Sequence, residues 1–298
     1  MLMRTDVSTK PVLIAALGVA LFSALDAIMK VISSEYPIAQ ATGMRYFAGA
    51  IAATIYYIGV GGSLPRTDAI LRSIPRSLAN LTAGACFFLA ISRLHLVDAI
   101  VLTFLSPLFI SFWGWILLRE RLNCRGLATM LVGLVGVFVI VQGLGLDLQH
   151  RFDLVGFLAA ISTAALYALS MVMTRSQSRR DPLPTLVLLP SILGSVFSAL
   201  PMLVVWHPVA TLHYLLLACV GAIGTAAYIC LAWAYASSQV GRLSLLEYTG
   251  LIWGAAFGYI FFREMPSLST VVGAVLIIGA CLPAINSEPI KEEERNSS

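Results

Sequence analysis

Apolar runs of about twenty residues follow one another along this chain with little between them, and that leaves it few ways to fold. They fall at 12–33, 38–60, 75–93, 96–118, 124–143, 154–174, 183–206, 212–236, 240–262 and 267–285. A bilayer core takes about 20 residues of helix to cross. Lipid offers no partner to an open backbone N–H or C=O, so runs without strand-like alternation predict helices. Only 11% of residues are charged and 59% are hydrophobic, against about 25% charged in an ordinary soluble domain. A chain of 298 residues then has room for ten crossings and no sizeable soluble domain. The expected fold class is an all-α integral membrane protein of ten transmembrane helices, with the lipid bilayer as its first partner.

The connections between runs carry Pro, Gly or charge, as in Glu35-Tyr36-Pro37, Arg119-Glu120-Arg121, Arg179-Arg180-Asp181-Pro182, Arg263-Glu264-Met265-Pro266 and a loop from Gly61-Gly62 to Arg76. Arg4 and Lys10 before the run from Pro11 look like the start of a signal peptide. That run is too long for one and holds Asp26 and Lys30, so it reads as the first spanning helix. Basic residues set orientation. With the N-terminus inside, fourteen of the 19 Lys and Arg fall in inner segments, Arg93, Arg151 and Arg263 in outer ones, and Lys30 and Arg45 within helices. Cytoplasmic termini follow, with residues 286–298 expected as a disordered cytoplasmic tail.

Trp115-Ile116-Leu117-Leu118-Arg119-Glu120 returns 144 residues later as Tyr259-Ile260-Phe261-Phe262-Arg263-Glu264. Each ends a helix and leads into another apolar run. With one or two insertions, Ala20-Leu21-Phe22 faces Ala165-Leu166-Tyr167 and Lys30 faces Arg175; with one deletion, Gly136 faces Gly279. The chain reads as two five-helix units, 12–143 and 154–285. Five is odd, so the second unit enters the membrane with opposite polarity. Inverted repeats of this kind place a substrate site near the midplane between the two units.

Each half has a helix ending in Arg-Glu followed by a glycine-bearing helix, with Gly133 and Gly136 in one and Gly273 and Gly279 in the other. With Arg45-Tyr46 early in the second helix and Ser106-Pro107-Leu108 in the fourth, the chain resembles EamA-type members of the drug/metabolite transporter superfamily. The resemblance spans roughly residues 12–285. It implies a secondary transporter, an exporter, of amino acids or similar small polar metabolites by alternating access in a bacterial inner membrane. The second half departs from the pattern where Leu251 stands in the place of Pro107, so a break is expected in helix four and not in helix nine.

No catalytic constellation stands in the sequence: there is no Gly-x-Ser-x-Gly, no His-Glu-x-x-His and no Walker lysine loop. The protein is therefore not expected to be an enzyme, no cofactor is implied, and transport would run on gradients, with proton coupling as one option. A lipid-modifying enzyme would need clustered His or carboxylates at one face, and His95, His150, His207 and His213 are scattered over helix ends and outer loops. A non-transporting accessory subunit is the other alternative, and the charges buried in the helices argue against it. The basic residues form no aromatic-interleaved surface, so nucleic acid is not expected as a partner. Cys86, Cys124, Cys219, Cys230 and Cys281 read as small core residues.

Charges within the runs carry the functional information, since each costs about 2.5–3.5 kcal/mol at a helix centre and so faces a partner or water. Asp26 and Lys30 lie four apart on one face of helix one, and Arg45 lies seven residues into helix two. Pairing of Asp26 with Lys30 or with Arg45 stands against lining of the cavity by all three. Glu247, with Tyr248 beside it, has Thr103 as its counterpart in the first half, so no symmetric scaffold demand explains it, and a role in the cavity, binding substrate or a proton, is expected against pairing with Arg242. Trp113, Tyr167, Tyr228 and Trp253 fall inside helices as candidate walls of a substrate pocket. Glu120 and Glu264 are expected as scaffold at the membrane surface.

Overall fold

The computed structural model describes residues 10–118, 135–136, 139, 153–177, 180–237 and 249–285. They form α1 (Lys10–Glu35), α2 (Ile38–Gly59), α3 (Thr67–Arg93), α4 (Leu96–Thr103), α5 (Ser106–Leu118), α6 (Leu154–Gln177), α7 (Leu183–Val204), α8 (Thr211–Ser237), α9 (Thr249–Phe262) and α10 (Leu268–Ile285). The protein is an all-helical, multi-pass membrane protein. Five of these helices, α1, α3, α6, α7 and α8, are by themselves long and apolar enough to span a bilayer. The fifth expected crossing, 124–143, lies almost wholly outside the described residues.

One element differs from the sequence reading. The third helix begins at Thr67 instead of 75, which takes Arg72 and Arg76 out of a loop and into a helix. Their polar side chains depress the local hydropathy, yet they have places to go between neighbouring helices. The fourth crossing is α4 and α5 with a break at Phe104-Leu105, as the Ser106-Pro107 step predicts. Pro107 has no N–H to return to the Thr103 carbonyl. Phe104 and Leu105 instead give their N–H groups to Val101 and Leu102, three residues back, at 3.1 and 3.2 Å. The stretch before Thr249, the counterpart of this break, lies outside the described residues.

The two halves are related by an exchange that packing and polarity both record. α1 packs on α8 as α3 packs on α6; α2 on α8 as α3 on α7; α1 on α9 as α4 and α5 on α6. The α2–α7 and α4–α9 contacts are their own counterparts. Polarity follows from the ends. At one membrane face, here the Glu35 end, Lys30 near the end of α1 meets Glu264 after α9 and Leu94 after α3. There too Gln40, at the start of α2, exchanges two 2.8 Å hydrogen bonds with the His207 backbone after α7. At the opposite face, the Arg72 end, Gln177 closing α6 donates to the Arg72 carbonyl. Thus α1 ends at one face and its repeat mate α6 ends at the other, which is the inversion that five helices per repeat require.

Lipid supplies no hydrophobic drive for helices to associate, so close backbone approach has to hold them. Small residues permit it. A Cβ on Gly221 of α8 would stand 2.4 Å from the Ala48 carbonyl oxygen of α2, and one on Gly18 of α1 would stand 3.2 Å from that of Ala227. Phe47, Ile51, Ile55 and Ile58, about a turn apart on α2, are all more than half exposed and give an apolar face to the bilayer. Asp153 caps α6, accepting the Gly156 N–H at 2.8 Å and Arg93 at 3.0 Å. The Gly156 N–H, and then Arg93, hold its carboxyl below the usual carboxylate range.

Candidate functional site

The middle of the bundle holds two opposite charges, Asp26 and Arg45, with no ion-pair partner among the described residues. Asp26 is nine residues from the Glu35 end of α1 and Arg45 is seven residues into α2. At 1.5 Å per residue both lie roughly 10–14 Å deep in a core about 30 Å thick. Each is half-buried. Their charges act on one another, but they form no ion pair, and neither makes a hydrogen bond among the described residues.

Local sequence explains how Arg45 fits. Its guanidinium lies against two glycines, where a Cβ on Gly49 would stand 2.9 Å from Nη1 and one on Gly224 of α8 3.2 Å from Nη2. The same Gly224 would meet Leu25, the neighbour of Asp26, at 2.8 Å. Three helices from both repeats, α1, α2 and α8, thus converge on one point. Tyr46 fixes the base of the arginine: its hydroxyl donates to the Asn80 carbonyl of α3 at 2.8 Å, and its ring lies on Gly194 of α7. The Arg45 guanidinium carbon is 5.6 Å from that ring's centre. α9 closes on the same side, with Gly250 facing Val19 and Ser23 of α1.

Lys30, expected beside Asp26, is turned elsewhere. Its ammonium donates to Glu264 at 2.5 Å and to the Leu94 carbonyl at 2.9 Å. Four residues bring Asp26 and Lys30 to one helix face, but the long lysine chain leaves toward the end of α9, where a carboxylate waits. Both side chains of this pair are largely buried, so Glu264 is an interior tie and not surface scaffold. Its backbone is shaped for the role. Arg263 ends α9 with φ of 59°, and its N–H returns to the Tyr259 carbonyl, an αL cap that usually falls to glycine. The turn aims Glu264 inward, where its second oxygen accepts the Leu96 N–H at 2.8 Å. Beside it Thr270 of α10 donates to Asp98 of α4 at 2.5 Å.

The aromatic candidates divide. Tyr228 stands one turn beyond Gly224 on α8, toward the Arg72 end, and packs against Ala53, Tyr57, Val187 and Leu188. Trp113 Nε1 donates to the Ala165 carbonyl at 2.9 Å and pins α5 to α6. Trp253 stacks on Phe257, which leads to Phe261 along α9, while Gly250, Gly254 and Gly258 form a separate buried stripe on that helix. Tyr167 is 37% exposed on α6. Glu247 and Tyr248 lie outside the described residues. Sequence reasoning missed Gly49, one turn from Arg45 on the same helix, and read Gly224 as a packing position only, because its part depends on a side chain from another helix. It also placed Arg76 in a loop, although Arg72, Ser73, Arg76 and Ser77 at helical spacing mark a polar face.

Arg45 of the first repeat thus rests on Gly224 of the second. Residues 9–142 and 154–285 each match the EamA-like transporter family. The chain belongs to that family. It is 26% identical over 288 residues to a pseudopaline exporter of Pseudomonas aeruginosa, covering 94% of this chain and 97% of that one. It is 23% identical over 266 residues to an S-adenosylmethionine uptake transporter of Rickettsia bellii, covering 89% and 90%. A crystal structure at 21% identity matches with a TM-score of 0.65, covering 92% of this chain and 97% of that chain, a likeness of fold. As a member of this family the protein is a membrane transporter of small molecules and not an enzyme.

Proposed function

We propose that this EamA-family chain exports amino acids, or small metabolites carrying the same zwitterionic head, by alternating access across a bacterial inner membrane. Asp26 and Arg45 carry the reading. A free carboxylate and a free guanidinium at one depth, on adjacent helices, are complementary to an ammonium and a carboxylate on one small molecule. Arg45 provides the planar fork that a carboxylate accepts at two points, and Asp26 takes the ammonium. Export is supported by the full-length likeness to a protein named as an exporter. The bias of basic residues supports cytoplasmic termini and makes the Arg72 end the inner one.

Two measurements test this. In proteoliposomes preloaded with single labelled L-amino acids, efflux of at least one is expected to exceed that from empty liposomes, and uptake with no efflux would reverse the direction. Flux of none across the whole set would defeat the substrate class. Reporter fusions after Gly62, Arg180 and Ser298 are expected to be cytoplasmic and one after Glu35 external; an external C-terminus would overturn the orientation.

A further inference from the structure

The polar first half of α3 holds a cluster that the midplane site does not use. Ser73, Arg76 and Ser77 share one helix face, because positions three and four apart are neighbours. All three are enclosed, Arg76 being 1% exposed and both serines 0%. Serine and threonine hydroxyls inside helices commonly bond to a carbonyl one turn back, as Ser198 and Thr174 do here at 2.6 and 2.7 Å. Ser73 and Ser77 do not. Their hydroxyls and Arg76 Nε have no hydrogen-bond partner. The rest of the guanidinium reaches Thr174 Oγ1 at 3.4 Å and the Leu186 carbonyl at 3.5 Å, at the outer limit of a hydrogen bond.

Buried donors left open cost about 1–3 kcal/mol each, so three together on one face call for an occupant. Charge says what kind. Among the described residues, Arg72 and Arg76 stand near a single carboxylate, Asp181, whose Oδ1 already accepts Arg72 at 3.0 Å. Among those residues one positive charge is left over. Asp181 Oδ2 and Gln177 Oε1 are open acceptors in the same cluster, placed to face a cation. Position says what the occupant comes from. Arg76 and Tyr228 are close enough for their charges to interact, and Tyr228 is one turn along α8 from the Gly224 on which Arg45 rests. The cluster is the next polar stop from Arg45 toward the Arg72 end.

We infer that Ser73, Arg76 and Ser77 form a second anion-holding station, which takes the substrate's carboxylate from Arg45 as the Arg72 end opens. The substrate class rests on the reading given under Proposed function; the station itself rests on the open donors and the surplus charge. In the enclosed state seen here α3, α6 and α7 shut it from solvent. Parting of these helices exposes it while the Lys30–Glu264 tie keeps the other end closed.

The test uses the full chain in liposomes, with its five cysteines changed to Ser and then Ser77→Cys introduced. Its reaction with anionic sulfonatoethyl methanethiosulfonate is compared with that of the cationic trimethylammonium-ethyl reagent, each rate normalised to a free thiol in water. The anionic reagent is expected to be favoured about tenfold, which corresponds to about 1.4 kcal/mol between the two reagents. Arg76→Gln is expected to level the two rates, and Arg76→Lys to keep the preference. If Ser77→Cys does not fold, Ser73→Cys carries the same comparison. No reaction with either reagent, or a preference unchanged by Arg76→Gln, overturns the station and leaves the open donors to buried water. The reagents are not amino acids, so a preserved charge preference beside a failed amino-acid panel removes the substrate class alone.

Discussion

Arg45→Gln is expected to weaken binding of the proposed amino-acid substrate about 30-fold or more, because losing one partner of a desolvated charge pair costs about 2–5 kcal/mol. The measure is equilibrium binding to the purified protein, alongside flux in liposomes. Arg45→Lys recovers part of the affinity, since it restores charge without the planar fork. Asp26→Asn lowers affinity through the other end of the substrate. An analogue without its amino group separates the two: the loss caused by Asp26→Asn shrinks for it, and the loss caused by Arg45→Gln persists. If Asp26 and Arg45 only lock helices together, the double substitution restores both flux and melting temperature toward the parent. That result, or full binding by Arg45→Gln, would remove the site from these residues.

Glu264→Gln and Lys30→Met are each expected to destabilise the protein by about 3–5 kcal/mol, the range for stripping one member from a buried ion pair. The apparent melting temperature in detergent reads this directly. Each substitution leaves a charged group among apolar helices, with the Leu94 carbonyl or the Leu96 N–H as its remaining partner. The double substitution leaves no such charge, so its cost is expected to fall well below the sum of the singles. Additive costs would mean that the two side chains act separately. The pair also ties α1 of the first repeat to α9 of the second. It has to part for the Glu35 end to open, so the double variant is expected to release substrate at that end faster than the parent.

Membrane insertion, the number of helices per repeat and the inversion were legible in the residues themselves. Each follows from local or counted properties: run length against bilayer thickness, backbone groups that lipid cannot satisfy, and an odd number of crossings per unit. The break in helix four was legible for the same reason, because the missing N–H of Pro107 acts within its own helix. The partners of the buried charges were not. Helical spacing placed Lys30 on one face with Asp26, but only packing decided that α9 ends within its reach and that Arg263 turns Glu264 inward. Nor does spacing within α2 reveal that Arg45 rests on Gly224, 179 positions further along the chain. The start of α3 was misplaced because hydropathy counts Arg72 and Arg76 as solvated, whereas Arg76 is enclosed and Arg72 pairs with Asp181. A sequence fixes what each helix can tolerate along its own length. Which charge meets which, and which is left open for a substrate, depends on distances between helices, and those exist only once the bundle has formed.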